Sequence, residues 1–217
     1  MQDKASISRR GLMQGAAVLG VSVLAGGACL SFKGKAFAQE EEEVPLAQSA
    51  QQYGFLVRAS NCVNCQECVK ACRRANETPA DFPARRKVEE FTTSNLQKVF
   101  VSSSCMHCEE PACLTVCPAK AITKGEGGVV SVDADRCIGC KYCYQACPFS
   151  VPNYDNEGMD KCDCCLEAGV VLGEKPNCVK ACKFRALQYG TLDELMAGSG
   201  DKAQRIESST KPSFLLY

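Results

Sequence analysis

The chain has 217 residues with 25 basic and 25 acidic side chains, so it carries no net charge and offers no basic stripe for nucleic acid. It has eighteen cysteines, one histidine and no tryptophan. No pairing of nucleophile and base, no phosphate-binding glycine loop and no dinucleotide fingerprint is recognisable, so a substrate-transforming site is not expected.

Residues 1–38 read as a targeting segment and stand apart from the fold. Lys4, Arg9 and Arg10 form a basic region, Gly11 to Leu30 is apolar and rich in Gly and Ala, and Ala36-Phe37-Ala38 offers a small-x-small cleavage site. Ser8-Arg9-Arg10-Gly11-Leu12-Met13 resembles the twin-arginine export signal. The alternative is a retained membrane anchor, against which stand the five glycines of the apolar stretch and the cleavage site behind it. Cys29 lacks the large aliphatic residue three positions upstream that a lipidated cysteine would have. The segment holds five Lys/Arg and one acid, so processing leaves 179 residues with a net charge of −4. Residues 39–51 contain the acidic run Glu40 to Glu43 and read as a flexible, solvated start.

Sixteen cysteines then fall into four tetrads: Cys62, Cys65, Cys68, Cys72; Cys105, Cys108, Cys113, Cys117; Cys137, Cys140, Cys143, Cys147; and Cys162, Cys165, Cys178, Cys182. The first and third have the C-x2-C-x2-C-x3-C spacing of bacterial [4Fe-4S] ferredoxins; the second and fourth are stretched versions. Three thiolates at i, i+3 and i+6 wrap one corner of a cubane, and the fourth ligates the other cluster of a pair. Zinc ribbons separate two C-x2-C pairs by a long spacer and need no third cysteine, and a disulfide scaffold is the remaining alternative. Pro118 and Pro148 follow the second and third tetrads, and short helices are expected after Cys72, Cys117, Cys147 and Cys182.

Between the tetrads, Lys87–Phe91 and Lys98–Val101 read as a hairpin joined by Thr92 to Gln97. Gly127–Val132 reads as a turn and strand leading into the third tetrad. Leu192–Met196 reads as a helix capped by Thr191 or Asp193, followed by a polar tail, with 191–217 taken as a C-terminal segment for partner docking. No long apolar run follows residue 30, so no transmembrane helix is expected in the mature chain.

The strings C-M-H-C-E-E-P-A-C-L-T-V-C-P (105–118), C-I-G-C-K-Y-C-Y-Q-A-C-P-F (137–149), K-C-D-x-C (161–165) and C-V-K-A-C (178–182) resemble the four-cluster electron-transfer subunits of the dimethyl sulfoxide reductase family. They are similar also to the iron-sulfur protein of nitrite reduction systems. The resemblance spans residues 52–190 and implies an α+β fold of two intertwined dicluster ferredoxin-like units, with short hairpin strands and long cluster-binding loops. It implies that tetrads one and four pair, as do two and three. Four [4Fe-4S] clusters would then rest on Cys62, Cys65, Cys68 and Cys182; on Cys162, Cys165, Cys178 and Cys72; on Cys105, Cys108, Cys113 and Cys147; and on Cys137, Cys140, Cys143 and Cys117. Spacing alone does not reveal which tetrads pair.

Cys164 lies beside Cys165, but i, i+3 geometry favours Cys165 as the second ligand of its tetrad. His107 on its own is a candidate metal ligand or proton carrier; the resemblance implies tuning of a cluster, or packing. Tyr142, Tyr144 and Phe149 are expected to shield a cluster, or to be ordinary core residues.

The implied function is non-catalytic electron transfer in anaerobic respiration. The implied partners are a membrane quinol-oxidising anchor subunit and an exported molybdopterin-containing catalytic subunit. A cytochrome-type nitrite reductase partner is the alternative, and a stand-alone iron-sulfur enzyme is a weaker one. Twin-arginine export carries folded proteins, which allows clusters to be inserted before the chain meets an oxidising, periplasmic environment. The double substitution Arg9→Lys, Arg10→Lys is therefore expected to hold the tagged protein in the cytoplasm on fractionation. Unaffected export would refute the signal assignment.

Overall fold

The computed structural model describes residues 51–154 and 158–217; the targeting segment, and all of the acidic start except Gln51, lie outside the described residues. The chain begins with β1 (Tyr53–Val57) and α1 (Glu67–Ala75), followed by β2 (Lys87–Thr92) and β3 (Lys98–Ser103). Next come α2 (Ala112–Thr115), β4 (Ile122–Lys124), β5 (Val130–Val132) and α3 (Tyr142–Ala146). The remainder is β6 (Asn153–Tyr154), β7 (Met159–Asp160), α4 (Asn177–Lys180), β8 (Leu187–Thr191), α5 (Leu192–Ser199), β9 (Gln204–Arg205) and β10 (Phe214–Leu216). Short helices and short strands thus alternate with long loops, an α+β arrangement.

β1 is central because its Phe55-Leu56-Val57 run is buried on both faces. It lies in a four-stranded sheet of order β8-β1-β10-β9, antiparallel to β8 with Phe55 opposite Tyr189, and parallel to β10 with Phe55 opposite Phe214. Phe55, Val57, Leu187, Tyr189 and Phe214 form one core, and Cys68, Cys164 and Cys178 belong to the same cluster. On the opposite face Leu56 and Leu215 pack on Leu192 and Leu195 of α5. A third core, Ile122, Val130, Cys143 and Met159, lies under the β4–β5 hairpin. Two of the three apolar cores are therefore built partly from cysteine.

The expected β2–β3 hairpin forms, and each strand runs slightly further than its apolar pattern. Thr93 closes the turn, its backbone N–H donating to the Gln97 carbonyl at 2.9 Å. The glycines before β5 are required by their backbone: Gly127 and Gly128 have φ of +66° and +72°. A Cβ on Gly128 would also stand 2.0 Å from the Gln52 amide oxygen. α5 is longer than expected and opens on Thr191 in a capping box with Glu194.

Two expectations are corrected. The segment after α5 is no simple polar tail, since β9 and β10 complete the central sheet and Ser213, Phe214 and Leu215 are fully enclosed. In three of the four tetrads the short helix comes before the fourth cysteine instead of after it. Cys68 and Cys72 share α1, while α2, α3 and α4 carry Cys113, Cys143 and Cys178 and stop before Cys117, Cys147 and Cys182. The C-x3-C spacing puts its cysteines about one helical turn apart, so in the first tetrad both lie on one face of α1, and in the others the helix carries the third cysteine and ends just before the fourth. Pro118 and Pro148 accordingly stand just past a helix end, where proline cannot continue it. α1 packs on α4, and α2 on α3.

None of the described helices is long and apolar enough to cross a membrane. Phe214→Ala would leave a void against Phe55 and is expected to cost about 3–5 kcal/mol. Anaerobic thermal melts followed by circular dichroism should show a clearly lower midpoint; an unchanged midpoint would mean that β10 does not hold the sheet.

Candidate iron-sulfur centres

Each tetrad begins with the same loop. The second residue after its first cysteine is left-handed: Asn64 at φ 55°, His107 at 42°, Gly139 at 64° and Cys164 at 62°. This turns successive backbone N–H groups inward, a concavity of the kind that binds anions and iron-sulfur clusters. The backbone of Asn64 and of His107 acts to lower the pKa of Cys62 and Cys105 in this way, and the Ala121 N–H donates to Cys117 Sγ at 3.3 Å. A second repeat closes the tetrads: Lys120, Ser150 and Arg185 are left-handed, and their N–H groups donate to the carbonyls of Cys117, Cys147 and Cys182 at 3.2, 3.3 and 3.3 Å. The first tetrad differs, because α1 runs on through Arg73 and Arg74 and Asn76 takes the Cys72 carbonyl.

The loops bring cysteines together across tetrads. Burial pushes the Cys62 thiol up, and Cys68, Cys182 and Cys65 add to the rise. The same four line one enclosed pocket with Val88 and Leu187. Cys72 is pushed up to about 12 by burial and then by Cys162, Cys178 and Cys165. Cys113 is likewise raised to about 12, by burial and then by Cys105, Cys147 and Cys108, partly opposed by Lys161. Cys117, Cys137, Cys140 and Cys143 line a second enclosed pocket with Ile122 and Met159. Each of these groupings includes a cysteine from a second tetrad.

The donors fit a [4Fe-4S] cubane. Buried thiols raised to about 12 stay protonated at neutral pH unless a cation takes the proton's place, and a coordinating thiol is deprotonated outright. Four sulfurs in an apolar pocket with amide N–H groups directed at them are the donor chemistry that such a cluster requires.

Side chains around the sets supply further hydrogen bonds. Ser102 Oγ lies 3.4 Å from Cys68 Sγ, and Tyr154 Oη lies 2.8 Å from Cys143 Sγ. Burial and the Cys143 sulfur raise the Tyr154 phenol, so it stays protonated and donates. Burial raises Cys108, and Thr210 acts against the rise. The buried Lys161 holds the carbonyls of Val130 and Cys162 with its ammonium. Burial raises Cys105, and Lys161 and hydrogen bonds from His107 act against it. Ser102 and Tyr154 carry no sequence signal, because each reaches its sulfur through the fold, whereas Lys161 opens the K-C-D-x-C string.

His107 is buried, and its Nδ1 accepts the Val130 backbone N–H at 3.1 Å. Burial opposes a charge on the ring, and the Cys105 and Cys162 thiolates overcome this to lift its pKa to about 9. A proton on Nδ1 would face the Val130 N–H, however, and sharing sulfur charge with a metal weakens the thiolate pull. The ring is therefore neutral, with its proton on Nε2, 3.3 Å from Cys164 Sγ. Cys164 is a thiol raised by burial, and its hydrogen bond holds Cys162 well below the ordinary value. His107, Cys162 and Cys164 lie close enough to share an ion. The group offers three donors, one short of a closed tetrahedral site.

The aromatic expectations are only partly met. Tyr142 is exposed, Tyr144 packs edge-on against Tyr154, and Phe149 packs on the central core. Tyr154, not named from sequence, makes the direct contact to a cysteine. A surface groove of about 930 Å3, bordered by Val99, Val101, Phe149, Ile206 and Leu216, contains no cysteine or histidine.

Fold, loops and cysteine sets define a dicluster iron-sulfur protein. Models of the 4Fe-4S dicluster domain match residues 61–122 and 96–192. The B subunit of anaerobic dimethyl sulfoxide reductase of Escherichia coli (strain K12) is 41% identical over 165 residues, covering 70% of this protein and 80% of the relative. The thiosulfate reductase electron transfer subunit PhsB of Salmonella typhi is 40% identical over 149 residues, covering 66% and 78%. The ferredoxin-like protein YdhX of Escherichia coli (strain K12) is 36% identical over 181 residues, covering 79% and 78%. The chain belongs to the ferredoxin-type iron-sulfur electron-transfer (beta) subunits of the dimethyl sulfoxide reductase family.

Proposed function

We propose that this chain is the non-catalytic electron-transfer subunit of an anaerobic reductase complex and carries four [4Fe-4S] clusters in two intertwined dicluster units. In the first unit, one cluster would be held by Cys62, Cys65, Cys68 and Cys182, and its pair by Cys72, Cys162, Cys165 and Cys178. In the second, Cys105, Cys108, Cys113 and Cys147 would hold one, and Cys117, Cys137, Cys140 and Cys143 the other. The gathering of four complete sets, each borrowing one cysteine across tetrads, carries this reading.

Bound clusters supply one-electron chemistry at potentials set by their surroundings. The chain's own residues make those surroundings. Left-handed loops direct backbone amides at sulfur, Ser102 and Tyr154 add hydroxyl donors, and Val88, Leu187, Ile122 and Met159 give the pockets apolar walls. Cys164 fits as a protonated neighbour of Cys162, and Cys165 as the ligand.

The sets differ in exposure, which supports an order of transfer. Cys65 and Cys140 are exposed, and beside them the apolar side chains of Val63 and Ile138 are 54% and 68% exposed. Cys162, Cys165, Cys178 and Cys105 are buried. The outer sets would meet the partners, and the inner ones, linked through His107, would pass electrons between them. The partners in this reading are a membrane quinol-handling subunit and an exported molybdopterin-containing subunit, with the chain itself exported by the twin-arginine route and held at the membrane through them.

Anaerobically purified protein is expected to contain about sixteen iron atoms per chain, four for each cubane; zinc in their place would overturn the reading. Cys164→Ala should leave that content unchanged, and Cys165→Ser should lower it. Cross-tetrad ligation is tested by electron paramagnetic resonance: Cys117→Ser and Cys140→Ser should remove the same cluster signal, and Cys105→Ser a different one. If Cys117→Ser matched Cys105→Ser, each tetrad would hold its own cluster. A molybdenum-containing partner should copurify with the intact complex.

A further inference from the structure

Arg85 and Arg86 are neighbours in sequence with opposite surroundings. Arg85 meets three carboxylates, Asp160 at 2.7 Å, Asp163 at 3.2 Å and Glu167 at 3.4 Å. Arg86 is 1% exposed and makes no ion pair with a carboxylate among the described residues. Its guanidinium donates to the Ser102 carbonyl at 3.2 Å, the Ser102 hydroxyl at 3.1 Å and the Ser104 hydroxyl at 2.8 Å. Its Cζ lies 4.6 Å from the centre of the Phe55 ring, and its Nε has no hydrogen-bond partner among the described residues. All of these contacts are to uncharged groups.

A buried cation without a counter-charge costs several kcal/mol. Burial opposes the charge on Arg86, and what offsets it are the sulfurs of Cys178, Cys162, Cys68 and Cys72. Cys68 belongs to one set of the first unit, and the other three to its pair. Arginine has only donors, so the Ser102 hydroxyl must accept from Arg86, which leaves its own proton directed at Cys68 Sγ, 3.4 Å away. The guanidinium thus reaches one sulfur through a hydroxyl and the paired set through space.

We propose that Arg86 is the shared internal counter-cation of the two clusters of the first unit, raising the reduction potentials of both and acting on the Cys68 side through Ser102. The proposal rests on the ligand sets assigned above. One electron entering either cluster adds one negative charge, and a fixed positive charge in a low-dielectric interior favours that state. Arg86 is a positioning and tuning residue that neither ligates iron nor carries the electron. The buried cation beside the sulfurs of the second unit is Lys161, so the effect of Arg86 is confined to the first.

The test is a redox titration monitored by electron paramagnetic resonance on the anaerobically purified complex, comparing wild type with Arg86→Met and Arg86→Lys, with iron measured on each. Wild type holding fewer than four clusters would refute the ligand assignment, independently of Arg86. With four present, Arg86→Met should lower the reduced-to-oxidised ratio of both first-unit clusters about tenfold or more at a fixed potential, about 59 mV for one electron. The second-unit clusters should stay as in wild type, and Arg86→Lys should recover most of the change. Four unchanged potentials, or an equal shift in all four, would overturn the proposal. If Arg86→Met does not assemble, Ser102→Ala decides: a fall confined to the cluster on Cys68 supports the relay, and no change overturns it.

Discussion

Collecting thiolates inside a protein is the constraint on which the rest of this structure depends. Burial drives Cys72 and Cys113 up to about 12, so the interior resists the ionised form that iron needs. Each set is accordingly surrounded by groups that favour negative charge. Left-handed loops turn amide dipoles toward sulfur, hydroxyls from Ser102 and Tyr154 approach from neighbouring strands, and Lys161 and Arg86 bring full positive charges into the core. Metal, loop and buried cation are parts of one electrostatic balance. Removing the metal leaves those cations without counter-charge, and a fold whose cores include cysteine loses packing with it.

The cysteine spacing was legible because a cubane imposes its geometry within a few residues of chain. The β2–β3 hairpin and the Thr191 cap were legible for the same reason, their patterns being local. β10 was not: its parallel pairing with β1 joins the two ends of the described chain, and three residues, Phe214–Leu216, carry too little periodicity to announce a strand. The helix positions are easily misread because the proline after the fourth cysteine suits a helix start as well as a helix stop. Only the i, i+4 relation of Cys68 and Cys72 on one face separates the two.

Side chains that tune the site were the least visible. In Ala84-Arg85-Arg86-Lys87 nothing separates one arginine from the next, yet Arg85 pairs with carboxylates and Arg86 enters the core. The difference is made by β2 and β3, which place Ser102 and Ser104 where the second guanidinium ends. Tyr154 is a similar case, since Tyr142 and Tyr144 lie closer in sequence to the third tetrad and still do not reach its sulfur.

The recurring left-handed position shows how one loop serves two environments. In the first and third tetrads it holds Asn64 and Gly139, residues that tolerate this conformation well, in loops whose Cys65 and Cys140 are exposed. In the second and fourth it holds His107 and Cys164, which pay more for it, about 1–2 kcal/mol in a position that most side chains avoid. Both are buried and they touch, Nε2 to Sγ at 3.3 Å. At this position the less favourable residues stand where the two inner loops face each other. Their cost is offset by a polar contact that closes the space between the second and fourth tetrads and gives the Nε2–H of His107 a partner. Cys164 stands where Asn64 and Gly139 stand, and its sulfur turns toward His107.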